Sequence, residues 1–293
     1  MKKVGLITDT NSGITLNEGK ELGIKVISMP VIIDGEEYYE DENLTHPQFY
    51  DFLSKDANVS TSQPSQFTLE EIWTEMLKEY DELVYIPMTS GLSATCSNAT
   101  RYAEGFNGKV YVVDNRRISV MQKESVYEAL ELIKCGKSAK DIKETLEKDK
   151  DMSVCYIYVS TLKYLKKGGR ISPAAATIAN VLHVKPILYS DGGAKFEKMG
   201  MVMSLAQAKK KMIEKAKSDM EGKYKEPYAK GKVCISVAHT ENSEQAEKFK
   251  EQIINEIPNI NFRFVDPLSL SVSSHIGPGS LALAITINNY LNK

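Results

Sequence analysis

Four hydroxyl side chains, Ser90, Ser93, Thr95 and Ser97, crowd a stretch that also holds Gly91, in the segment YIPMTSGLSATCSNA over residues 85–99. Leu83 to Met88 is an almost unbroken apolar run, the pattern of a strand buried on both faces of a parallel sheet. Gly91 frees the backbone for a sharp turn. A helix is expected to follow, capped by Ser93 or Thr95, because its first N–H groups lack internal partners and carry partial positive charge. Hydroxyls beside such an end form a receptor for a small anion, a carboxylate or a phosphate, with no basic side chain in the loop. Two other readings attach to the same residues. A nucleophile elbow follows G-x-S-x-G, but Gly91-Leu92-Ser93-Ala94-Thr95 lacks the second glycine. Plain helix capping, with no ligand, is the simplest reading.

Composition limits the partners. The chain has 293 residues, long for one core, so two compact lobes are expected. Hydrophobic residues make up 42% and charged residues 26%, ordinary values for a globular protein. With 37 basic against 39 acidic residues the net charge is −2, which gives no reason to expect nucleic acid as a partner. Lys209-Lys210-Lys211 is followed by Glu214, Asp219 and Glu221, and reads as a solvated helix face rather than a nucleic-acid patch. No apolar stretch reaches bilayer-spanning length and the N-terminus has no signal-peptide core, so a cytoplasmic protein without stable membrane insertion is expected. Cys96, Cys135, Cys155 and Cys234 show no CxxC spacing, and His46, His183, His239 and His275 lie far apart. Reduced thiols, no structural metal and no cofactor are the expectation.

Strands and helices alternate along the chain. Val4 to Thr8 reads as the first strand, ending in the polar loop Asp9-Thr10-Asn11-Ser12-Gly13. A short helix over Thr15 to Leu22 precedes a strand over Lys25 to Ile33, and Asp34-Gly35 is a hairpin turn to Glu36-Glu37-Tyr38-Tyr39. Helical periodicity covers Pro47 to Ser54 and Leu69 to Lys78, the latter with Thr68 as N-cap. After the hydroxyl loop a helix runs to about Glu104, Val110 to Val113 forms a strand, and Ser119 to Cys135 a long helix. Such strand–loop–helix units predict an α/β lobe with a parallel sheet. Ligands then settle beyond the carboxyl ends of the strands, where Asp9-Thr10, the hydroxyl loop and Asp114 collect.

From about residue 150 the pattern shifts. Short strands are expected at Ser153 to Val159, Pro186 to Leu188, Lys195-Phe196, Val233 to Ala238 and Asn261 to Val265. A short helix from Thr161 to Lys167 stops at Gly168-Gly169, and longer helices cover Leu205 to Lys217 and Ser243 to Ile254. This predicts a second α/β lobe with a mixed sheet. The expected division is 1–150 and 151–293, with the chain from about residue 275 returning to the first lobe.

Short motifs stand in order along the chain: TSQPS at 61–65, TSGLSAT at 89–95, KGGRI at 167–171, KPIL at 185–188 and HIGPG at 275–279. Together they resemble the DegV family of bacterial fatty-acid-binding proteins, and the resemblance covers essentially the whole chain. It implies a two-lobed α/β carrier, with no catalytic residue of its own, that buries one long-chain fatty acid between its lobes. It also implies a partner, a separate fatty acid kinase to which the carboxylate is presented. Carried over motif by motif, Thr61 and Ser93 would hydrogen-bond the carboxylate, and Arg170 and His275 would complete the polar network around it. The chemistry agrees, since a carboxylate accepts several donors and those from Arg are the stronger ones.

Each of these residues also has a plainer role. Thr61 could support the turn before Pro64, Arg170 could be a surface residue after a glycine stop, and His275 a structural histidine. His183 and His239 read as structural, His46 as a solvated helix start, and Lys185 as either a surface or an interface lysine. The alternative function is a serine-dependent lipid hydrolase or acyltransferase using Ser93 as nucleophile and His275 as base, for which no acidic partner can be assigned. A third is a small-anion sensor. Two stretches depart from the family pattern. Ser119-Val120-Met121-Gln122-Lys123-Glu124 replaces a smaller, more apolar run and is expected to shorten or reshape the tail pocket, and Met199 to Met203 stand where a basic residue is often found.

Overall fold

The computed structural model describes residues 2–177, 184–192 and 195–290. The chain opens with β1 (Val4–Asp9), a 3₁₀ turn (Thr10–Ser12), α1 (Leu16–Leu22), β2 (Lys25–Ile27), β3 (Pro30–Ile33) and β4 (Glu36–Tyr39). Next come α2 (His46–Ser54), β5 (Val59–Thr61), α3 (Gln66–Met76), β6 (Glu82–Ile86), α4 (Thr95–Ala103), β7 (Val110–Val112), α5 (Val120–Lys134) and α6 (Ala139–Lys148). The later part holds β8 (Ser153–Tyr158), α7 (Lys163–Gly168), α8 (Pro173–Ala176), β9 (Lys185–Ser190), β10 (Glu197–Val202), α9 (Leu205–Glu221) and α10 (Lys225–Ala229). It closes with β11 (Val233–His239), α11 (Ser243–Glu256), β12 (Asn261–Pro267), α12 (Leu270–Ile276) and β13 (Leu281–Ile287).

The strands make three sheets. β2-β1-β6-β7 is all parallel, and β1 and β6 are buried at every position, as strands covered on both faces must be. β10-β9-β8-β13-β11-β12 is mixed, with only β11 and β12 parallel. A small antiparallel sheet, β4-β3-β5, sits beside them. The α/β class with a parallel first sheet and a mixed second sheet is as the sequence predicts.

Several boundaries differ, each for a local reason. The strand expected over 25–33 is two strands in two sheets. Pro30 has no N–H to continue the first ladder, and between the strands Met29 N–H donates to Thr10 Oγ1 at 3.2 Å. The N-cap of α3 is Ser65, not Thr68: Ser65 Oγ accepts the Thr68 N–H at 3.0 Å. Neither Ser93 nor Thr95 is the N-cap of α4; that position is Ala94, and Ser93 Oγ accepts the Thr95 N–H from one residue earlier. The strand expected at Lys195-Phe196 begins at Glu197, and Phe196 instead bridges Ile171. β13 runs through the middle of the mixed sheet between β8 and β11, and only beyond it does Asn288 reach Glu124 of α5.

One apolar core runs across both parts of the molecule. Met88, Leu92, Ile118 and Met121 from the first part pack with Ile157, Leu188, Ala282 and Ala284 from the mixed sheet and with Val272 and Ile276 of α12. Charged contacts flank it. Lys123 of α5 bridges Glu18 of α1 and Asp266 of β12, and Glu124 pairs with Arg263 of β12. Arg117, fully buried, donates to Ser125 Oγ and to the Ile287 carbonyl at the end of β13, and faces Glu128 at 3.6 Å.

Burial pushes the Glu128 carboxyl up to about 7, against the opposing pull of Arg117. A carboxyl raised in the folded state contributes stability below its unfolded value of 4.5 and loses it as pH rises through about 7. Replacing Arg117 by Ala leaves Glu128 buried without its cation and is expected to cost about 3–5 kcal/mol near neutral pH. Denaturant unfolding checks this: the deficit should shrink between pH 7.5 and pH 5, as Glu128 takes up a proton. A small, pH-independent deficit would contradict it.

Candidate functional site

The apolar core between the sheets opens into a cavity of about 280 Å³, near the low end of the roughly 300–1,000 Å³ usual for small-molecule sites. Its polar lining is Thr61, Gln63, Ser93, Arg170, Ser271 and His275, and its apolar lining includes Met88, Leu165 and Phe196. A smaller apolar recess of about 30 Å³ continues inward past Ile118, Phe196, Val272 and Ile276, which line both spaces. Met121, Cys155, Ala282 and Ala284 close that recess. The site is therefore polar at one end and oily at the other.

All four residues singled out in the sequence meet at the polar end. Thr61 is the last residue of β5, held by pairing with Val31 of β3. Its Oγ1 lies 2.9 Å from His275 Nε2, in the last turn of α12. The imidazole is pressed against the end of α7, where a methyl group on Gly168 would come within 2.1 Å of Nδ1, so only glycine fits there. Gly277, just past α12, has φ +79°, and a side chain on it would meet the Tyr164 ring at 2.3 Å. Burial, and then the Arg170 charge, push the His275 imidazole down to about 4, so it is neutral at pH 7. In the tautomer with the proton on Nε2, His275 donates to Thr61 Oγ1, and the Thr61 hydroxyl proton is free to point into the cavity.

Ser93 is half-buried. Its Oγ shares a hydrogen with Thr95 Oγ1 at 2.9 Å and accepts the Thr95 N–H at 3.2 Å. Arg170 follows the left-handed Gly169 that ends α7. Its Nε donates to the Leu92 carbonyl at 3.2 Å and its Nη1 to the Gly168 carbonyl, so one guanidinium ties the hydroxyl loop to the end of α7 and keeps further donors for a ligand. Ser93 and His275 are not hydrogen-bonded to each other: the histidine is engaged by Thr61 and the serine by Thr95.

The remaining candidates lie elsewhere. His46 starts α2, its Nε2 in hydrogen-bond contact with Glu40 Oε1 at 2.9 Å, so it is engaged by a buried carboxyl rather than merely solvated. His239 is buried in β11, its Nδ1 accepting the Asn242 N–H, a structural role. His183 lies outside the described residues. Lys185 is exposed and donates to the Ser160 carbonyl. Among the described residues no cluster of His, Cys, Asp or Glu could hold a metal ion, and no helix is long and apolar enough to cross a membrane. Sequence reasoning did not single out Gln63 and Ser271 as lining residues. Gln63 stands inside the TSQPS motif, and Ser271 belongs to the serine-rich α12.

A family model described as "Uncharacterised protein, DegV family" matches residues 3–288. The chain belongs to the DegV family. A DegV domain-containing protein of Clostridium perfringens is 30% identical over 290 residues, covering 97% of each chain. The solved DegV-family protein of Thermus thermophilus, described as binding fatty acid, superposes with a TM-score of 0.87 at 25% identity, covering 97% of this chain and 99% of that one. DegV of Bacillus subtilis, described as a fatty acid binding protein, superposes with a TM-score of 0.83 at 27% identity over 98% of this chain and all of its own. The DegV fold thus extends over all three sheets.

The depressed His275 value carries a pH prediction. A base lowered in the folded state contributes stability above its unfolded value of 6.5 and loses it as pH falls toward about 4, up to about 3 kcal/mol in all. His275→Gln should flatten stability across that window. Imidazole NMR of the ligand-free protein should place the His275 titration near 4; a value near 6.5 would contradict the burial argument.

Proposed function

We propose that this DegV-family chain is a cytoplasmic carrier that binds one long-chain fatty acid, its carboxylate at Thr61 and Ser93 and its tail in the apolar recess. Arg170 and His275 complete the polar network. The observation that carries the reading is the cavity itself: one apolar space whose polar end gathers these four residues from four separated motifs. The fatty-acid binding of the Thermus and Bacillus relatives supports it. A fatty acid has the matching form, an acceptor-only anion on an apolar chain, and burying that chain supplies roughly 25 cal/mol per Å².

The proposal extends to organisation and partner. The chain divides near residue 150 into two lobes, and the ligand lies between them. Half-buried Ser93 and exposed Ser62 and Ala94 stand at the polar end, so the head group lies close to solvent while the tail is deep. That polarity suits presentation of the carboxylate to a fatty acid kinase. A serine hydrolase would need Ser93 activated by His275; the separate engagement of those two side chains favours the carrier.

Protein made in bacteria should carry about one equivalent of non-covalent fatty acid, seen by native mass spectrometry, and should not hydrolyse acyl esters. Empty protein that takes up no added palmitate or oleate would sink the reading. Ser93→Ala and Thr61→Val should each weaken binding by about 1.5–3 kcal/mol, with their double variant departing from additivity because both donate to one acceptor. Ser97→Ala is the control: Ser97 does not line the cavity and its hydroxyl is spent on the Ala94 carbonyl, so affinity should hold. Arg170→Ala should impair head-group anchoring or kinase-dependent phosphorylation. Unchanged affinity in both Ser93→Ala and Thr61→Val would put the carboxylate elsewhere.

A further inference from the structure

Thr89, the first residue of the hydroxyl loop, has every polar group engaged although it is 1% exposed and does not line the cavity. Its N–H donates to the Arg117 carbonyl at 2.9 Å. Its carbonyl accepts the N–H groups of Leu92 and Ser93, both at 3.3 Å, so the backbone of Ser93 hangs from Thr89. Its Oγ1 accepts the Gly91 N–H at 3.1 Å and lies 2.6 Å from the Gly192 carbonyl. A carbonyl can only accept, so the hydroxyl proton points to Gly192 and the lone pair faces Gly91.

Gly192 follows β9, in the part of the chain that builds the mixed sheet. It has φ +78°, and a methyl group on it would fall 1.6 Å from the Arg116 carbonyl oxygen. Only glycine lets this backbone reach the loop. Arg170, also from the later part, holds the same loop through the Leu92 carbonyl. The loop that carries Ser93 is thus shaped by contacts from β9's end and α7's end, not by its own lobe alone.

We propose that Thr89 is a positioning residue for head-group recognition: its hydroxyl locks the Ser93 loop to Gly192, so the carboxylate receptor is assembled only when the two parts of the molecule are together. The inference rests on the fatty-acid reading and adds to it a residue that touches no ligand. Thr89→Val keeps the side-chain shape but strands the Gly192 carbonyl and the Gly91 N–H; Thr89→Ser keeps the hydroxyl.

The test is equilibrium titration of a fatty acid and of the fatty alcohol with the same tail into wild type, Thr89→Val, Thr89→Ser and Gly192→Ala. Wild type that binds no fatty acid refutes the functional reading itself. Where wild type binds, Thr89→Val and Gly192→Ala should weaken the acid by about tenfold or more while the alcohol changes little, and Thr89→Ser should restore the acid to within about threefold. Unchanged acid affinity in a folded Thr89→Val or Gly192→Ala overturns the proposal, as does an equal loss for acid and alcohol. Hydrogen exchange on the unaltered, ligand-free protein gives a check independent of any variant. The Gly91, Leu92 and Ser93 amides should be protected to the level of the neighbouring β6 amides, and exchange at the rate of a free loop overturns it.

Discussion

The 2.9 Å contact between Thr61 and His275 is the point on which the polar end of the cavity depends. It joins the end of a strand in the small antiparallel sheet to a helix that leads into the mixed sheet. An imidazole buried there stays neutral, and a neutral imidazole has one proton to give. Given to Thr61, that proton turns a hydroxyl that would otherwise point either way into a donor aimed at the cavity. Gly168 matters for the same reason: any side chain there would drive the ring away from Thr61.

An anion at the mouth of an apolar space is costly unless donors meet it, and donors facing an apolar space are costly unless they are already held. The structure meets the second condition at Thr61, His275, Ser93 and Arg170 by giving each a fixed partner on the protein side. Ser93 is braced by Thr95, Arg170 by the Leu92 and Gly168 carbonyls, and the hydroxyl loop by Thr89. The walls come from the shared core, where Ile118, Phe196, Val272 and Ile276 serve both the outer cavity and the inner recess. Met121, at the start of α5, is one of the residues that close that recess.

The fold class was legible because buried parallel strands announce themselves as apolar runs bounded by polar loops, as at Val4–Asp9 and Glu82–Ile86. Thr61, Ser93, Arg170 and His275 line one cavity, and motif order alone pointed to them as a group: nothing in the spacing of Thr61 and His275 along the chain says that they touch. What the sequence hid was non-local. β13 is as apolar as any strand, yet its place between β8 and β11 depends on partners far away in the chain. α12 reads as a serine-rich stretch before Gly-Pro-Gly, and its helical form rests on packing against α7, β3 and β5. The break at Ser28-Met29 was hidden because both halves are apolar, and only the change of pairing partner separates them.

The central claim is that a fatty-acid carboxylate is held, ionised, by hydroxyl donors at the polar end of this cavity. Carbon-13 NMR of palmitate labelled at the carboxyl carbon and bound to the protein reads that directly. The account predicts one bound carboxyl resonance that remains in its ionised position at pH values where the free acid has begun to protonate, and that moves when Ser93 is replaced by Ala. A resonance that titrates as the free acid does, and is the same in the Ser93→Ala protein, would contradict it.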